Sequence, residues 1–257
     1  MIQIKDNHNI FTIISIILLF ITISCIYFYP QIKGEKLVAS DQITSQGASK
    51  EISDFREATG DEALWTNSMF GGMPAYMIST QFPGNIISKI QSSFFSIFHR
   101  PIGLMILNIL LFFILCLLMD IPLGISMAGS LMFGFSTLFF VFIATGHVTK
   151  VHTLTYMALV VAGVLYAYKK KPLIGSLITA FGLSWMISAN HPQMYYYICI
   201  MILIIIICYF IDSVRGKNNK KIYKYLRFIV HCTYSCLRNK FWKTFHYTGI
   251  REIFYPK

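Results

Sequence analysis

Three short polar stretches beside apolar runs carry side chains that are able to exchange protons or hold a phosphate. They are Ser40-Asp41-Gln42, Thr145-Gly146-His147-Val148-Thr149-Lys150-Val151-His152, and Asn190-His191-Pro192. Taken locally, Asp41 reads equally as a catalytic carboxylate and as a helix cap. Lys150 suits a phosphate ligand or a lipid headgroup. His147 and His152 read as hydrogen-bonded groups at the end of an apolar run, and His191, between an asparagine and a proline, as part of a turn. Five residues separate the two histidines, about 140° around a helix, so they do not form an adjacent metal pair. Glu51, Asp54 and Glu57 read as a solvated helix face. His231, Cys232 and Cys236 lack an evident fourth ligand for zinc. The sequence contains no P-loop, dinucleotide fingerprint, zinc-protease pair or nucleophile elbow.

The elements that must position these residues are set by composition. Of the 257 residues, 55% are apolar and only 13% charged, about half the charged share of a soluble domain. That excludes a large water-facing catalytic domain and predicts an all-α polytopic membrane protein. Six apolar runs stand out, at 10–29, 102–119, 123–144, 154–168, 173–189 and 194–211, some of them short for a spanning helix. The first is read as an uncleaved helix, because Tyr27, Phe28, Tyr29 and Pro30 replace the small residues of a cleavage site. Ser126/Ser130/Gly134 and Ser176/Ala180/Ser184 are small residues at four-residue spacing, suited to close helix packing. The tyrosines at the span ends, including Tyr195, read as interfacial anchors.

Charge sets the orientation. The net +11 is concentrated in residues 213–257, which hold 11 Lys and Arg and one acid, Glu252. Beside an apolar segment, this reads as a basic cytoplasmic tail near anionic lipid and not as a nucleic-acid surface. Lys169-Lys170-Lys171 between the fourth and fifth spans is cytoplasmic by the same rule. Both termini then lie inside, and all three polar stretches face outward. The outer loop 30–100 is expected to contain two juxtamembrane amphipathic helices. One starts at Ser40 or Asp41, ends near Gly60 and puts Ile52, Phe55 and Ala58 on one stripe; the other runs from Pro83 to His99. Between them, Trp65 to Pro74 is expected to turn sharply. Residues 1–212 form the membrane module.

The run from Ser40-Asp41-Gln42 through Ser49-Lys50-Glu51-Ile52-Ser53-Asp54-Phe55-Arg56-Glu57, then Leu64-Trp65-Thr66-Asn67-Ser68-Met69-Phe70-Gly71-Gly72-Met73-Pro74-Ala75-Tyr76, then Gly146-His147-Val148-Thr149-Lys150-Val151-His152, resembles bacterial YfhO-like membrane proteins. These are similar to the GT-C superfamily of polytopic glycosyltransferases. The resemblance implies a protein of the bacterial cytoplasmic membrane. It would transfer a sugar from a polyprenyl-phosphate-type donor to an acceptor on the non-cytoplasmic face. It implies Asp41 as general base or ligand of Mg²⁺ or Mn²⁺, with Lys150 or Arg56 compensating the departing phosphate and His147 and His191 binding substrate. It ends after Ile211, where such proteins continue with further spans. A truncated or frameshifted product is therefore expected, or a fragment whose C-terminal portion is encoded separately. The competing reading is a non-catalytic carrier or assembly partner, or an inactive remnant. No inverted repeat recommends a carrier.

Overall fold

The computed structural model describes residues 10–35, 37–79 and 84–215, together with Tyr234. Helix accounts for 78% of them, so the all-α expectation holds. In chain order the helices are α1 (Ile10–Tyr27), α2 (Tyr29–Ile32), α3 (Ser40–Thr59), α4 (Ile86–Ile97), α5 (Ile102–Leu118), α6 (Leu123–Gly134), α7 (Thr137–Thr145), α8 (Val148–Lys169), α9 (Pro172–Ser188) and α10 (Pro192–Arg215). The sheet is a hairpin of β1 (Trp65–Thr66) and β2 (Met73–Pro74), antiparallel with Trp65 opposite Pro74. Apart from the end of α10 and Tyr234, the basic tail and its Cys232 and Cys236 lie outside the described residues, as does the N-terminal Lys5.

Four helical segments are long and apolar enough to cross a membrane: Ile10–Tyr27, Leu123–Thr145, Val148–Lys169 and Pro192–Asp212. A fifth is added when α4 and α5, bent by 116° at their junction, count as one span. The run at 173–189 forms α9, which is apolar but only 17 residues long.

Several boundaries differ from the sequence reading for identifiable reasons. The run 123–144 is divided between α6 and α7, because Gly134 ends one helix and Ser136 takes an extended conformation before the other, a Gly/Ser break of the usual kind. α8 begins six residues ahead of the expected span. Its polar first turns satisfy themselves: the Thr153 and Thr155 hydroxyls donate to the Thr149 and Val151 carbonyls at 2.8 and 2.9 Å, a pattern that helices accommodate. The expected loop at 145–150 therefore shrinks to Gly146-His147, and Lys150 and His152 are helical.

α8 is the central helix, buried from Val151 to Ala167. One side of it packs on α9 through the smallest residues available. A Cβ on Gly163 would meet Thr179, one on Gly175 would overlap the Ala167 backbone, and one on Gly182 would press on Val160. The seam therefore runs through Gly175, Thr179 and Gly182, and of the expected stripe Ser176 is buried while Ala180 and Ser184 are half-buried. The Ser126/Ser130/Gly134 stripe on α6 is buried as expected, and Gly134 sits against Ile109 of α5. One apolar cluster gathers Phe20, Ile109, Phe113 and Phe139 from α1, α5 and α7. A second joins Val160, Met186 and Ile198 from α8, α9 and α10.

The outer loop is built around α3, which buries Ala48 and Ile52; Phe55, expected on the same stripe, is exposed. Glu51 is more than solvated surface. Its Oε2 accepts from the Thr66 hydroxyl at 2.5 Å and the Asn67 N–H at 2.9 Å, and the Ser68 hydroxyl donates to the Ala48 carbonyl at 2.7 Å. These bonds fasten the hairpin to the middle of α3. α4 is capped by Asn85, whose Oδ1 accepts from the Ile87 and Ser88 amides at 3.1 and 3.3 Å.

Candidate active site

Asp41 stands in the first turn of α3, a favourable place for an anion because the helix dipole is positive there. It is not the cap. Ala39 holds that position, without a capping side chain, so the carboxylate is left for another partner. That partner is His147, whose Nδ1 lies 2.5 Å from Asp41 Oδ2. Both side chains are partly open to solvent, at 33% and 49%.

Backbone geometry brings the pair together. Gly146 closes α7 with φ +89°, and a Cβ there would press on Ala39, Gln42 and Asp41. Only glycine combines that left-handed conformation with so close an approach to the start of α3. His147 follows as the residue preceding α8, in position to meet Asp41. The first and second polar stretches are thus one contact.

The third stretch joins them. Lys150 and His147 both act electrostatically on His191. Lys150 Nζ sits 5.7 Å from the centroid of the Phe142 ring, which also faces His147 at 6.1 Å. Asn190, at φ +56°, turns the chain between α9 and α10 and donates from Nδ2 to the Tyr76 carbonyl at 3.4 Å. Burial, followed by the positive charge of Lys150, holds the His191 imidazole below the ordinary histidine range. Its Nδ1 is buried without a hydrogen-bond partner.

Tyr195 belongs to this group and was read from sequence only as an anchor. Its hydroxyl accepts from the His191 N–H at 3.0 Å and donates to the Ile187 carbonyl at 2.8 Å, so it clamps the turn. The four-residue spacing of His191 and Tyr195 at the start of a helix was the available signal.

Arg56 is not brought to the group. It lies 15 residues along α3 from Asp41, about 22 Å at the helical rise. It is also committed elsewhere, donating to Glu62 at 2.6 and 2.8 Å and to the Ser79 carbonyl at 3.2 Å. The hydrogen bond to Glu62 raises its pKa further. Its role in this geometry is to tie the end of α3 to the loop around it.

A divalent ion such as Mg²⁺ or Mn²⁺ takes about six oxygen ligands, several of them anionic. Asp41 offers one carboxylate, already paired, among a lysine and two histidines. Among the described residues, no group of three His, Cys, Asp or Glu side chains is placed to hold a metal ion. The donor set does not fit such an ion. What the group offers is a proton acceptor, an imidazole that orients it, a second, neutral imidazole and a fixed cation, all at one end of the helical bundle. No family model, curated protein sequence or solved structure matches this chain.

Proposed function

We propose that this chain is the YfhO-like, GT-C-type membrane module that its motifs resemble, and that the Asp41 group transfers a sugar from a polyprenyl-phosphate-type donor. The observation that carries the reading is the 2.5 Å contact between Asp41 and His147 beside Lys150 and His191. In this reading six spans cross the bacterial cytoplasmic membrane: α1, α5, α6 with α7, α8, α9 and α10. At 17 residues, α9 is about 26 Å long, close to the hydrocarbon thickness of roughly 30 Å. Lys169 to Lys171 face the cytoplasm with both termini, and the Asp41 group faces outward.

The transfer is a displacement at the anomeric carbon. The acceptor hydroxyl loses its proton to Asp41 Oδ1 as its oxygen bonds to that carbon. The bond from the carbon to the phosphate oxygen breaks, and the electron pair leaves with the phosphate. Lys150 compensates the charge that develops on the phosphate. His147 holds Oδ2 so that Oδ1 points at the acceptor, and His191 donates or accepts at the sugar without adding charge.

Sealed right-side-out vesicles carrying the protein, supplied with a panel of polyprenyl-phosphate hexoses, test the activity. The expected result is labelled sugar in an outer-face acceptor, with no transfer from nucleotide sugars. Vesicles that transfer nothing from any lipid-linked donor, with the protein folded, contradict it.

A further inference from the structure

The segment Leu123–Thr145 is long and apolar enough to cross a membrane, yet its backbone opens partway along. α6 runs for 12 residues, about 18 Å, and α7 for nine, about 14 Å. The break at Phe135-Ser136 therefore lies well inside a hydrocarbon layer of roughly 30 Å. Part of it repairs itself. The Phe135 and Ser136 amides donate to the Leu131 and Phe133 carbonyls at 2.9 and 3.2 Å, and the Ser136 carbonyl accepts from the Phe139 amide at 3.1 Å. The rest stays open: among the described residues, the Thr137 and Leu138 amides that start α7 have neither a capping side chain nor a backbone partner, and the Gly134 and Phe135 carbonyls accept from no amide.

The break faces away from the bundle. Phe135, Thr137 and Leu138 are exposed, and the Thr137 hydroxyl is unbonded among the described residues. Lipid chains offer nothing to a peptide N–H or C=O, and irregular backbone at membrane depth persists only against protein or water. The same exposed face continues along α6 through Gly124, Ala128 and Met132, and a Cβ on Gly124 would meet nothing within 4 Å. α6 thus carries two series of small residues. Ser126, Ser130 and Gly134 are buried, with Gly134 against Ile109 of α5, while Gly124 and Ala128 stand open on the other side.

We infer that a second copy of this chain covers this face, with α6 and α7 of the two copies side by side about a two-fold axis along the membrane normal. The bilayer gives both copies the same direction, so their breaks meet at the same depth. Each break holds free donors together with free acceptors, and a threonine hydroxyl is both at once. Two breaks therefore complete one another, as a contact of one patch with itself requires; a partner of another kind would have to bring a matching polar group of its own. Gly124 and Ala128 let the two backbones come close enough for those bonds, at the four-residue spacing by which small residues pair spanning helices. The contact needs α6 and α7 to lie in the membrane, and it stands whether or not the Asp41 group transfers sugar.

The test is oxidative crosslinking of the full-length protein in its membranes. Thr137→Cys, in a background without other cysteines, is treated with copper phenanthroline and run on a nonreducing gel. The expected product is a reducible band at twice the mass of the chain. The control is Ile200→Cys, which is exposed on α10 and lies about 12 Å from the outer end of its helix, as Thr137 does; it is expected to stay monomeric. Gly124→Leu places its added atoms in open space within the chain, so the protein should accumulate normally, and it should lower the yield of the Thr137→Cys dimer at least about tenfold. A Thr137→Cys protein that stays monomeric or crosslinks only to a band of another mass would overturn the inference. So would equal dimer formation by Ile200→Cys, or a dimer yield that Gly124→Leu leaves undiminished.

Discussion

The Asp41–His147 contact joins two partly exposed side chains, so solvent screens it and its contribution to folding is small, about 0–1 kcal/mol. Asp41→Asn should leave thermal unfolding nearly unmoved, and a large loss of stability measured by circular dichroism would give the pair a structural role instead. His191 behaves differently because burial and Lys150 both disfavour its charged form. Its folded-state pKa lies below the unfolded value, so the unfolded chain takes the proton first. Its contribution to stability is full above the ordinary histidine range and is lost as pH falls through that range. Lys150→Met removes one of the two repelling charges and should move the His191 titration upward, read from its ring resonances in a ¹⁵N-histidine spectrum. An unchanged or lowered titration would mean that Lys150 does not face His191. Asp41, His147 and Lys150 were nominated from residue type and from the family resemblance, and the structure sets Asp41 beside His147. Arg56 was nominated on charge alone, and what removes it, a bidentate bond to Glu62 about 22 Å along the helix, is a fact of geometry that local sequence does not carry.

The site depends on how its elements meet. Gly146 is held at φ +89° with α3 against it, so Gly146→Val adds both backbone strain and a steric clash. The strain alone is of order 1–3 kcal/mol. The variant should unfold at lower temperature and lose the Asp41–His147 contact together. The α8–α9 seam is tighter still: Gly175→Leu cannot fit against Ala167, and the variant should be degraded in cells, whereas Leu177→Ala, at an exposed position of α9, should accumulate. Equal accumulation of the two would show that the helices pack in another register. Helix existence was readable from apolar runs, but helix ends were not. Thr149 looked like loop and proved to be helical, its carbonyl accepting from the Thr153 hydroxyl. Glu51 looked like surface and proved to anchor the hairpin through Thr66 and Asn67, a pairing 15 residues away that no periodicity reveals.

At the scale of the whole molecule, low charge content and six apolar runs were enough to give the class, a helical protein with four or five segments fit to cross a membrane. The run at 173–189 forms α9 at the expected length of 17 residues, short of the 18 or more that the other four segments reach. The placement of Lys169 to Lys171 opposite the outer loop is a matter of lipid and charge, and it is open to direct measurement. In a cysteine-free background, Phe70→Cys at the hairpin tip, where the native ring is 89% exposed, should react with a membrane-impermeant maleimide in intact cells. Lys170→Cys should react only after permeabilisation, and the reverse pattern would invert the topology. The central claim is that Asp41 takes the acceptor's proton while Arg56 only braces its loop. The measurement that tests it most directly is the rate of sugar transfer from a polyprenyl-phosphate hexose by Asp41→Asn and Arg56→Gln, assayed side by side at equal protein. Asp41→Asn should be slower than wild type by about 10²–10⁴-fold and Arg56→Gln within about threefold; wild-type transfer by Asp41→Asn would contradict the account.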